Sequence, residues 1–195
     1  MKFIKNNSYN IFRLMLNQIG MMIFGIMLSM AAGSIESTMS DTLLLFVSIF
    51  ATGFYMVLIY AMMWEQGTKD IIRVESGKAT YDKYYGTKVA LLANIPNLIL
   101  GLIVFFSFLF LTFGSDESAS ELYVAFYAIS SFLQSTYLGI VKSIFSLFNP
   151  DATLTMTFRS LVYVITVIPA VFTSTIAYIL GCKNFKLFSA KKRNK

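Results

Sequence analysis

Long apolar runs alternate with short polar intervals along this chain, and the apolar runs have the length of membrane helices. Leu14 to Gly33 is a charge-free run of 20 residues, which as a helix spans about 30 Å, the thickness of a bilayer's hydrocarbon. A signal peptide is the competing reading, because Ser29-Met30-Ala31 has a small-x-small form. The run is longer than the roughly 7–15 residues of a signal core, so it is read as a retained first span. Thr42 to Met63 gives a second span, closed by Trp64 at the level where indole rings prefer the lipid–water boundary. Val89 to Phe113 gives a third, 25 residues long, which must tilt or extend past the lipid. Ser160 to Gly181 gives the last.

One apolar stretch is ambiguous. Residues 122–148 are interrupted by Ser130, Ser131, Gln134, Ser135, Thr136 and Gly139, with Lys142 beyond and a break at Asn149-Pro150-Asp151. The fold class expected is all-α: an integral membrane helical bundle with spans at about 14–33, 42–63, 89–113 and 160–181. Residues 122–148 are then an outer-face segment, either interfacial or a pair of short helices dipping back into the bundle. The chain forms a single membrane domain, because every polar interval is too short to fold alone.

Charge sets the orientation. The first 13 residues carry three basic side chains, residues 64–88 five and the tail from Lys183 onward six, while 34–41 and 114–121 carry none. The positive-inside rule places both termini and the 64–88 loop in the cytoplasm of a cell membrane, and two cytoplasmic ends require an even number of crossings. The net charge of +6 therefore belongs to topology, and no nucleic-acid partner is expected. With only 13% charged residues, against about 25% in soluble domains, the contact expected first is the lipid bilayer.

Chemistry is largely excluded. Histidine is absent and Cys182 is the single cysteine. An internal disulfide and His-based acid–base or triad catalysis are impossible, and neither a metal site nor a cofactor is expected. Asp70, Asp82, Glu75 and Glu65 match no metal or nucleotide motif, and ion pairing explains them better than catalysis.

Two groups of residues remain as candidates. Trp64, Gly67, Lys69, Asp70 and Arg73 give the 64–88 loop an aromatic anchor and charges of both signs, the character of a protein-docking surface. Gly67, Gly77 and Gly86 punctuate that loop and argue against one continuous helix. Asn94, Pro96 and Asn97 on the third span, and Pro169 on the last with Thr166, Thr173 and Thr175, are polar or helix-breaking positions at membrane depth. Pro96 cannot donate to the Leu92 carbonyl, so the third span should be irregular there, with Asn94 or Asn97 turned inward. Gly25, Ser29 and Gly33 recur every four residues and should face a helix, in this chain or in a homo-oligomer.

Trp64 to Asn97 reads W-x2-G-x-K-D-x2-R-V-x2-G and then G-x-K-x2-L-L-A-N-I-P-N. This resembles a recurring pattern in a group of uncharacterised bacterial multi-pass membrane proteins. The resemblance covers the central third of the chain, and implies four spans with an outer-face segment but no particular activity. Two functional expectations follow. The first is an accessory or interaction subunit that docks a protein partner through residues 64–88. The alternative is a small transporter or channel using the polar, proline-broken third and last spans.

Overall fold

The computed structural model describes residues 2–34, 40–113, 117–137, 139–141 and 161–183. All regular structure among them is helical: α1 (Lys2–Gly33), α2 (Ser40–Glu75), α3 (Tyr85–Ala93), α4 (Ile95–Phe113), α5 (Glu117–Leu133), a 3₁₀ turn at Ser135–Tyr137, and α6 (Val167–Cys182), with further helical residues at 139–141 and, ahead of α6, at 161–165. Three stretches are long and apolar enough to cross a membrane: Phe3–Ala32, Thr42–Glu75 and Leu161–Cys182. The pair α3 and α4, bent by 56°, passes the same test if it is one span. Among the described residues the chain is all-helical, with three helices long and apolar enough to cross a membrane. The expected segment beyond Val141, the Asn149-Pro150-Asp151 break and the basic tail after Lys183 lie outside the described residues.

The bundle is organised on α6. Ala170, Ser174, Ala177 and Gly181 recur at helical spacing, are all buried, and form a stripe of small side chains against which α2 and α3 pack. Backbones meet along it. A Cβ on Gly181 would collide with the Trp64 carbonyl of α2, and one on Gly67 with the Tyr178 carbonyl. A Cβ on Gly86 of α3 would stand 2.7 Å from the Ser174 carbonyl. Within lipid there is little hydrophobic gain in bringing helices together, so close van der Waals fit carries the association. Around this stripe Tyr55, Ile59, Met63, Val89, Ala93 and Tyr178 make the core. Outward positions such as Phe50, Phe106, Phe110 and Phe172 are large, apolar and exposed, as a lipid-facing surface requires.

The 64–88 interval differs from its expected form. α2 does not end at Trp64 but continues as helix to Glu75. Gly67 and Gly86 are sites of close helix approach and do not break helices. Gly77 alone is a stop, at φ +70°. There the Gly77 N–H donates to Val74 O at 3.0 Å and the Lys78 N–H to Arg73 O at 2.9 Å. This is the glycine-dependent helix ending in which the left-handed residue follows the cap. Asp82 lies in the turn before α3: its carboxylate accepts from the Tyr84 N–H at 3.0 Å and pairs with Lys88 at 2.7 Å.

The segment after α5 turns inward. The 3₁₀ turn packs on α1 and α2, and a Cβ on Gly25 would stand 2.8 Å from the Thr136 nitrogen. Gly25 lies eight residues from the end of α1 at Gly33, so the turn sits about 12 Å along the bundle from that end. Gly25 thus faces a neighbouring element, as its spacing predicts, and that element belongs to the same chain. Ser29, half-buried, lines an apolar groove with Ala128 and Phe132 of α5.

Candidate functional site

Three helix breaks converge on one polar cavity. The first is Asn94, between α3 and α4, where Pro96 leaves the Leu92 carbonyl without the N–H that a regular helix supplies. Asn94 and Asn97 both turn inward and are 5% and 6% exposed. The Asn94 amide donates back to Ala90 O at 2.9 Å and its Oδ1 accepts from Gln18 Nε2 at 3.3 Å. The second break is Gln134, which ends α5. The third is Thr166, before α6, which sits three residues ahead of Pro169. Gln134 and Thr166 are locked together: the Thr166 hydroxyl donates to Gln134 Oε1 at 2.6 Å, and Gln134 Nε2 donates to the Tyr163 carbonyl at 3.0 Å.

The irregular segment beside Gln134 is tied to α1 and α2 by hydrogen bonds. Ser135 Oγ donates to Met22 O at 2.8 Å and Thr136 Oγ1 to Met21 O at 3.0 Å. The Thr136 carbonyl accepts from Thr52 Oγ1 at 3.3 Å, and the Gly139 N–H donates to Ser48 Oγ at 2.8 Å. The Thr136 carbonyl and the Gly139 N–H are thus satisfied by side chains of α2, as non-helical backbone in an apolar bundle requires. The cavity itself is about 10 Å³ and is lined by residues including Gln18, Tyr55, Asn94, Asn97, Gln134, Thr136, Tyr137 and Thr166. Its polar lining is neutral, made of amides and hydroxyls.

Of the residues singled out in sequence, Asn94, Asn97 and Thr166 line this cavity. Pro96 and Pro169 create breaks beside it but are exposed, with their rings on the outside of the bundle. Thr173 and Thr175 lie elsewhere, Thr173 against Met56 Sδ at 3.2 Å and Thr175 against Thr87 at 2.8 Å. Gln134, Tyr55 and Tyr137 were not expected to join. A signal for Gln134 exists, since an amide inside an apolar stretch needs a buried partner.

The second group divides. Gly67 is sealed against α6. Asp70 faces inward: it accepts from the Tyr178 hydroxyl at 3.3 Å and from Gln66 Nε2 at 3.1 Å, with Arg73 3.9 Å away. Trp64 is half-buried, whereas Lys69 and Arg73 are exposed. Glu65 pairs with Lys69 at 2.7 Å and with Arg13 of α1 at 3.7 Å. Such exposed pairs are worth at most about 1 kcal/mol, so the glycine seam and the Asp70–Tyr178 bond hold this end in place. Tyr178 also stacks on Tyr85 with ring centroids 4.9 Å apart, and the Tyr85 hydroxyl bonds Asn7 and Asn10 of α1. The close of α2 is thereby tied to α1, α3 and α6.

No family model, curated protein or solved structure matches the chain.

Proposed function

We propose that the chain is a four-span protein of the cell membrane, with both termini in the cytoplasm, that works as an accessory or interaction subunit. It docks a protein partner through the cytoplasmic end of α2. The observation that carries this reading is that α2 runs unbroken past Trp64 to Glu75. Its inner side is clamped to α6 through Gly67 and Asp70, and Lys69, Ile72 and Arg73 are exposed. Residues three and four apart share a helix face, so these three form one patch. A surface already fixed in place loses little conformational entropy when a partner binds. Arginine and apolar side chains, here with exposed Tyr81 and Tyr84 nearby, are the mixture that protein contacts favour.

Purification in mild detergent tests the reading. The wild type is expected to bring down a stoichiometric partner. Lys69→Glu with Arg73→Glu is expected to lower its recovery about tenfold, the effect of about 1.4 kcal/mol, at unchanged yield of inserted protein. Repeated recovery of the protein alone, or a loss explained by failed insertion, would remove the support.

In the proposed topology α1, α2 and α6 each cross once, α3 and α4 form one bent span, and α5 with the 3₁₀ turn enters from the outer face and returns. Fourteen of the 16 basic residues then lie on one side of the membrane. Cys182 is the chain's single thiol. A membrane-impermeant thiol reagent is expected to miss it in intact cells. Ser189→Cys in a Cys182→Ser background is expected to react only after permeabilisation. Labelling of that variant from outside would overturn the topology.

The three-break cavity favours a second reading, a small transporter or channel, since discontinuous helices build the central sites of many transporters. Its size of about 10 Å³ and its uncharged lining count against an ion-coupled carrier. Solute flux in proteoliposomes separates the two readings: movement of a polar solute supports transport, and none across a broad panel leaves the docking reading.

A further inference from the structure

We propose that the cavity between the three breaks is a hydration site that holds one structural water molecule, bound by the Tyr137 hydroxyl and the Asn97 amide. Three observations carry this. The cavity measures about 10 Å³, room for about one water. The Tyr137 hydroxyl oxygen is buried and has no hydrogen-bond partner among the described residues, yet Tyr137 lines this space. Asn97, Asn94, Gln18, Gln134 and Thr166 line it as well, so amide and hydroxyl groups of both polarities face one another across it.

The chemistry of the lining selects the occupant. An apolar group would leave the Tyr137 hydroxyl unpaired in a low-dielectric interior. A cation would lie at membrane depth with no carboxylate in the lining to balance it. Water both donates and accepts, is neutral, and typically makes about three hydrogen bonds when buried. Asn94, Gln134 and Thr166 already bond within the protein, so the water is the partner of Tyr137 and Asn97 at the point where the three breaks meet. This assignment is independent of either functional reading, because a docking subunit and a transporter would both need the irregular backbone held.

Two measurements test it. In a high-resolution structure of the wild type in nanodiscs, a solvent peak is expected within hydrogen-bond distance of both Tyr137 Oη and the Asn97 amide. An empty cavity at a resolution that shows other buried waters would overturn the proposal. The sign of the effect of Tyr137→Phe is the second test. If the hydroxyl anchors a water, its removal should lower the melting temperature in detergent by roughly 2–4 °C. If the hydroxyl is simply unpaired, its removal should raise the melting temperature, because an unsatisfied buried donor has been deleted. The wild-type melting temperature is expected to be the same in sodium and choline chloride. Stabilisation specific to sodium would overturn water in favour of a bound cation.

Discussion

Gly181→Val and Gly67→Val are each expected to part α2 from α6 and to lower the melting temperature of the detergent-solubilised protein by roughly 10 °C. The obstruction is backbone and not a flexible side chain: the new Cβ meets the Trp64 carbonyl in one case and the Tyr178 carbonyl in the other. Neither helix can yield without moving as a body. Overpacking typically costs about 1–3 kcal/mol, and more where nothing can rotate away. At about 2–4 °C per kcal/mol for a chain of this size, the upper end of that range gives the expected shift. Gly20→Ala and Gly53→Ala serve as internal controls, since a Cβ at either position meets nothing within 4 Å. Both should leave the melting temperature unchanged or slightly raised, because alanine is the better helix former. If all four variants melted alike, the seam would not be a determinant of stability.

The second large effect is expected at the inward turn. Gly25→Leu should push the 3₁₀ segment off α1, since a Cβ there would stand 2.8 Å from Thr136 N and 2.9 Å from Thr136 Cα. The hydrogen bonds from Ser135 to Met22 O and from Thr136 to Met21 O would be lost together. Thr136→Cys in a Cys182→Ser background gives the reporter, as residue 136 is buried. Its reaction with N-ethylmaleimide is expected to quicken at least about tenfold when Gly25→Leu is added, the consequence of an overpacking cost above about 1.4 kcal/mol. Equal rates with and without Gly25→Leu would mean that the turn does not depend on this contact.

What the sequence made legible were features that one short stretch of chain decides. Pro96 predicts a break because a missing N–H is local chemistry, and the break lies at Asn94 with both asparagines turned inward. Gly25 predicts a close neighbour because small side chains on an apolar helix have that use, and the 3₁₀ turn is that neighbour. What remained hidden depended on residues far apart in the chain. Gly67 lies in a polar stretch and has low helix propensity, so it read as a breaker. Only the opposing Tyr178 carbonyl, more than a hundred positions away, turns the missing Cβ into a point of contact. The cavity was hidden for the same reason. Asn94 and Asn97 could be picked out singly, but their meeting with Gln134 and Thr166 requires α5 to end beside α6, and no local periodicity encodes that pairing. The docking candidates divided because charge and aromatic content identify a polar surface without saying which side of a helix holds it. Asp70 faces Tyr178 while Lys69 faces away.

The uninterrupted course of α2 makes it a lever. Its 36 residues amount to a rod of about 54 Å, against a hydrocarbon layer of about 30 Å, and it contains no proline at which to flex. Its crossing with α6 at Gly67 and Gly181 is a fulcrum nearer to one end than to the other. The far arm carries Ser48 and Thr52, which grip the inward turn, and the near arm carries Arg73. Pivoting the whole rod by about 10° would sweep one tip by about 9 Å relative to the other. A rigid tilt of α2 about that crossing would therefore move the residues that hold the inward turn and the exposed Lys69–Arg73 patch in opposite senses, without any change in the helix itself.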